Sequence, residues 1–133
     1  MKILQLLEST EQLDQQKYRK WKELVNMSTA ELQKFIDSDL GKEAGLDRIE
    51  AKQSGGIRRG RDSARAILRM RSKPFSSWTT SDKEWMNRQI SFISRMTGNR
   101  GPLIDEKSRP TRKLTSLWIW GNVPRGLKPS KYL

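Results

Sequence analysis

Apolar residues in this 133-residue chain recur at the spacing of one helix face in segment after segment, and capping residues, glycines or prolines stand at the segment borders. Between residues 10 and 25, Leu13, Tyr18, Trp21, Leu24 and Val25 fall near helical spacing with Lys17, Arg19, Lys20 and Lys22 around them, which predicts an amphipathic helix. Ser28-Thr29-Ala30-Glu31 is a capping box, in which the serine hydroxyl and the glutamate three positions on satisfy each other's backbone donors. A second helix therefore starts there, with Leu32, Phe35, Ile36 and Leu40 on one face and Gly41 as its expected stop. Trp21 and Phe35 read as core anchors. Residues 41–56 contain Gly41, Gly45, Gly55 and Gly56 without a period and read as a connection, with a short helical turn near residues 47–51.

The third helix spans the segment Gly56-Ile57-Arg58-Arg59-Gly60-Arg61-Asp62-Ser63-Ala64-Arg65-Ala66-Ile67-Leu68-Arg69-Met70-Arg71. At about 100° per residue, Ile57, Ala64, Ile67 and Leu68 share one side, and Arg58, Arg61, Arg65 and Arg69 form a band on another. Lys73-Pro74 ends it, because the residue before a proline is pushed out of the helical region. Thr80 or Ser81 is the expected cap of the next helix, with Glu84 at capping-box spacing from Ser81. Trp85, Met86, Phe92, Ile93 and Met96 line its apolar face before Gly98. Pro110 is expected to open a last helix with Leu114, Leu117 and Trp118 inward and Arg112 and Lys113 outward, ending at Gly121. The prediction is a small all-α domain of four to five helices over residues 1–121, followed by a basic irregular tail over 122–133 that extends and stays mobile until it meets an anion.

Charge divides the domain. Residues 1–50 carry a net of −2 and residues 51–133 a net of +14, within a formal total of +12. Nine arginines lie between Arg58 and Arg100, and Asp62 is the one acid between Ala51 and Ser81. A field of this kind attracts polyanions, and arginine suits forked contacts to phosphate oxygens. The main candidate contacts are Arg58, Arg61, Arg65 and Arg69, supported by Arg59, Arg88 and Arg95, with Arg112, Lys113 and the tail lysines adding reach. The competing reading is a solvated arginine face, partly neutralised by Asp62 and by acids of the first two helices. Gly60 either admits a phosphate backbone or another helix closely or marks the helix start.

Function classes narrow further by exclusion. Without cysteine or histidine, the chain lacks the usual metal ligands and the usual near-neutral proton carrier. Asp105-Glu106-Lys107, between Gly101-Pro102 and Ser108-Arg109-Pro110, reads as a solvated turn, so no catalytic residue, metal or cofactor is expected. The longest apolar runs are four or five residues, far short of the roughly 20 that span a bilayer, so no membrane partner is expected. Gln5 and Glu8 interrupt any signal-peptide core, and a cytoplasmic location is expected, nucleoid-associated or in a host cell if phage-encoded. Duplex DNA is the favoured partner. The alternatives are an interaction or virion component that sets its basic half against an acidic protein or another copy of itself, and an RNA binder stacking bases on Trp78 or Trp85.

Several landmarks, taken together, resemble a known family. They are Val25-Asn26-Met27-Ser28 with Glu31-Leu32, Gly60-Arg61 before Ile67-Leu68, Arg95 within residues 92–96, and Thr115-Ser116-Leu117 before Trp120-Gly121. In this order they are similar to a small uncharacterised family, found in bacteria and elsewhere, whose members are commonly labelled DNA-binding proteins. The resemblance implies the same partner class as the charge map. Members tend to continue Trp-Gly with His-Asp-Pro, where this chain has Asn122-Val123-Pro124, so any role of that imidazole or carboxylate is absent here. The general character of the chain fits a phage or mobile-element origin.

Overall fold

The computed structural model describes residues 2–43, 59–98 and 101–133, with side chains over 10–42 in the first segment and from Gly60 in the second. The fold is all-α, as expected, and no strand occurs among the described residues. The helices are α1 (Lys2–Leu24), α2 (Thr29–Asp37), α3 (Asp39–Glu43), α4 (Arg59–Arg71), α5 (Thr80–Gly98) and α6 (Arg112–Ile119). Single 3-10 turns follow at Phe75–Ser77, Pro124–Gly126 and Pro129–Lys131.

The core forms around α6, where Leu114, Leu117, Trp118 and Ile119 are all fully buried. A helix apolar around most of its circumference has to be enclosed, and α2, α4 and α5 each pack against it. Phe35 of α2 meets Trp118 edge to face at 5.5 Å, and Trp120 stacks on Phe92 of α5 at 4.3 Å. The long α1 lies along α5, where the buried Trp21 Nε1 donates to Gln89 Oε1 at 2.6 Å. Gln89 Nε2 in turn donates to Ser63 Oγ of α4 at 3.1 Å, so both ends of a buried amide are satisfied. Because Gln89 meets Ser63 while Asp82 meets Arg69, α4 and α5 run antiparallel.

Most helix borders follow from local chemistry. Ser28 caps α2 as expected, its hydroxyl accepting from Glu31 N at 3.1 Å. Gly41 is not the stop of α2. Ser38 ends it, donating to Phe35 O at 2.6 Å and accepting from Gly41 N at 3.0 Å, and the chain folds straight into α3. A Cβ at Gly41 would lie 1.7 Å from the Phe35 carbonyl oxygen, so this glycine serves a close backbone approach. The cap of α5 is Thr79 rather than Thr80 or Ser81. Thr79 Oγ1 accepts from Asp82 N at 3.2 Å and Asp82 Oδ2 accepts from Thr79 N at 2.9 Å. Pro110 does not open α6 but pairs with Ile104 in an isolated bridge, and Thr111 is the cap. Asp105 forms a turn as expected, its Oδ1 accepting from Lys107 N and Arg109 N, both at 2.9 Å.

The C-terminal segment departs most from expectation. It is irregular, yet it is folded onto the domain rather than extended. Trp118 Nε1 donates to Leu127 O at 2.8 Å, Pro129 is buried, and Tyr132 lies 5.7 Å from the Trp118 ring. A buried indole needs an acceptor, and the segment supplies it. The expected helical turn near residues 47–51 lies outside the described residues.

Candidate nucleic-acid interface

The arginine band of α4 divides into inward and outward members. Arg58 lies outside the described residues, and Arg59 opens α4 with its side chain undescribed. Arg61 is half-buried, and its Nη1 donates to Gly41 O at 3.0 Å and Ile36 O at 3.4 Å. Those carbonyls belong to the last turn of α2 and to α3, so Arg61 acts as a C-terminal cap. Arg65 is exposed, with Asp62 Oδ1 3.9 Å away, and Arg69 is exposed with its Nε 3.5 Å from Asp82 Oδ1. Positions four apart on a helix drift by about 40°, so the row crosses from the α2–α3 side at Arg61 to the α5 side at Arg69. Gly60 is buried in the first turn, which matches the helix-start reading and leaves no open surface there for a phosphate backbone.

Arg71 was outside the predicted row and turns out to be fastened by three hydrogen bonds. Its Nη2 donates to Val25 O at 2.7 Å, and its Nη1 to Met27 O at 2.6 Å and Thr29 Oγ1 at 3.4 Å. The guanidinium also lies 5.9 Å from the Trp21 ring, and burial lowers its pKa. It gathers the carbonyls that follow α1, which nothing local in the sequence signals.

On α5, Arg88 and Arg95 are exposed two turns apart. Arg88 covers the half-buried Trp85 ring at 5.1 Å, whereas Arg95 has no hydrogen bond or ion pair among the described residues. Asp82, nearly fully buried at the start of α5, bridges Arg69 and Lys73. Burial alone would push its carboxyl up, but hydrogen bonds from Lys73 and Thr79 and the charge of Lys73 outweigh that and hold it at about 2. The Thr79–Asp82 spacing was legible, but the neighbouring Ser81–Glu84 pair offered the same pattern. Arg112 and Lys113 stand apart in the first turn of α6, both engaged by neighbouring groups. Trp78 is buried, its Nε1 donating to Met70 O at 3.0 Å, so of the two indoles considered for base stacking only Trp85 is partly open.

Three of the segments that carried the family resemblance meet at one joint. Val25 and Met27 are buried, Met27 N donates to Gly121 O at 3.0 Å, and Asn26 exchanges hydrogen bonds with Val123 N and O at 2.7 and 3.3 Å. Gly121 has φ +85°, and a Cβ there would lie 2.8 Å from Val25 Cγ1 and 2.9 Å from Ile67 Cδ1. Asn122 Nδ2 donates to Leu24 O at 2.6 Å, capping the end of α1. The joint locks the α1–α2 turn, α4 and the end of α6 together. No curated protein and no solved structure matches the chain. Residues 20–118, which end just before the Trp120-Gly121 pair, match the family model described as Protein of unknown function (DUF3140), and the chain belongs to that family.

Proposed function

We propose that this protein binds duplex nucleic acid, with DNA favoured, through phosphate contacts from the outward arginines of α4 and α5. The observation that carries the reading is the exposure of Arg65, Arg69, Arg88 and Arg95 on two adjoining antiparallel helices. Asp62 is the exposed acid paired with one of them at 3.9 Å, and Asp82 divides its charge between Arg69 and Lys73. The Arg65–Asp62 pair is long and open to water and contributes little, and Asp82 makes its closer contact with Lys73, so the outward guanidinium groups are available to a stronger anion. Arg61 drops out of the contact row because its donors already serve α2 and α3. Phosphate contacts position a protein without reading bases, which fits outward arginines on two neighbouring helices.

Fluorescence anisotropy with duplex DNA, single-stranded DNA and RNA across a salt series tests the reading. Four contacts give a slope of log affinity against log salt of about −4. The Arg65/Arg69/Arg88/Arg95→Ala variant is expected to bind at least ~100-fold more weakly with a flatter slope. A wild-type slope near about −1, or a variant that binds as the wild type does, overturns it and directs attention to an acidic protein partner.

A further inference from the structure

Four of the five tryptophans are buried, and each of those four packs against another aromatic ring. Trp85 is different. It is half-buried, it meets no other ring among the described residues, and its Nε1–H has no hydrogen-bond acceptor among them. Phe92, the aromatic residue two turns further along α5, is already stacked on Trp120 at 4.3 Å. Over the Trp85 ring lies the Arg88 guanidinium, 5.1 Å from the centroid. Arg95 follows on α5 within about 20° of Arg88 around the helix, so a partly open indole stands beside two outward cations.

The cover over that ring is easily exchanged. Arg88 is exposed, and among the described residues no carboxylate lies within ion-pair distance of it, Glu84 one turn earlier included. A cation held over a ring in water gains less than a base stacked on the same ring, and a guanidinium released from the ring gains a charge-assisted bond to a phosphate oxygen. Exchanging Arg88 for a base therefore improves both contacts. A base paired inside a duplex has both faces against its neighbours, so the base that enters is an unpaired one. The outward arginines favour a polyanion over an apolar protein segment as the bearer of the group that covers the indole.

We propose that Trp85 is a stacking site for an unpaired base of the bound DNA, which displaces Arg88 from the ring and turns its guanidinium to the adjoining phosphate. The proposal rests on the reading of the outward arginines as a DNA surface and narrows its substrate to duplexes that carry a single-stranded stretch.

The test is fluorescence anisotropy at one salt concentration with three ligands: a blunt duplex, the same duplex with a single-stranded overhang, and that duplex with an abasic overhang of equal length. The abasic strand keeps the phosphates and lacks the bases. Wild-type protein is expected to bind the base-bearing overhang at least about tenfold more tightly than the abasic one. The Trp85→Leu variant is expected to lose that preference, whatever its affinity for the blunt duplex, and Trp85→Phe to keep part of it. The abasic comparison needs no variant, so it decides the matter even if Trp85→Leu does not fold. Equal binding of the base-bearing and abasic overhangs, or a preference undiminished in Trp85→Leu, overturns the proposal. The duplex reading fails separately, through a flat salt dependence with the blunt duplex.

Discussion

Arginines of one helix meet opposite fates within two turns. Arg71 and Arg65 differ in whether a helix C-terminus lies within reach, and that difference sets what their removal costs. Arg71→Ala strips the donors from Val25 O and Met27 O, so a loss of about 3 kcal/mol is expected, whereas Arg65→Ala, exposed beside Asp62, costs no more than about 0.5 kcal/mol. Urea unfolding of the two variants checks the contrast, and equal losses would contradict the assignment of Arg71 as a cap. Asp82 gives a pH-dependent prediction. Its folded carboxyl, at about 2, lies below the ordinary 3.8, so its contribution is full above about pH 4 and is lost as pH falls toward 2. Asp82→Asn is expected to be less stable than wild type by about 2 kcal/mol at neutral pH, with the gap narrowing by about pH 2.5. A gap of constant size in urea midpoints across that range would show that the charge is not the source.

At the scale of elements, caps decide borders and tertiary acceptors decide order. The serine cap of α2 was readable because a hydroxyl and a backbone amide three residues on are local partners. The start of α5 slipped by one or two residues because Thr79–Asp82 and Ser81–Glu84 offer the same spacing, and burial of Asp82 beside Lys73 settled the choice. The C-terminal segment reads as a mobile arm from its prolines and lysines, yet Leu127 O is the acceptor for a buried indole and the Pro129–Lys131 turn packs on α2. Deleting residues 127–133 is therefore expected to lower stability by about 2–4 kcal/mol in thermal or urea unfolding, since it orphans the Trp118 N–H and uncovers the ring. A dispensable arm would be removed at no cost.

At the scale of the whole molecule, the described links between the acidic front and the basic rear are mostly not carboxylate pairs. Among the described residues, Lys83–Asp14 is the ion pair that joins the two, at 3.0 Å. The stronger links are Arg61 and Arg71 on the C-terminal carbonyls of α2 and beyond α1, where helix dipoles concentrate negative potential. Partial charges of this kind anchor the arginines without cancelling them, so the molecule keeps its formal +12. That is why the salt slope of about −4 and its loss on removing the outward arginines belong to the molecule as a whole.

Helix content, the apolar faces, the serine cap and the location of positive charge were determined by the sequence itself, because each rests on residues within about four positions of one another. Which arginines are free and which are fastened was decided only by the tertiary structure. The carbonyls that take Arg61 lie 20 and 25 positions away, and those that take Arg71 lie 44 and 46 away. A helix terminus has unpaired carbonyls wherever it ends, and only the folded packing of α4 against α2 and the turn after α1 brings the matching guanidinium to it.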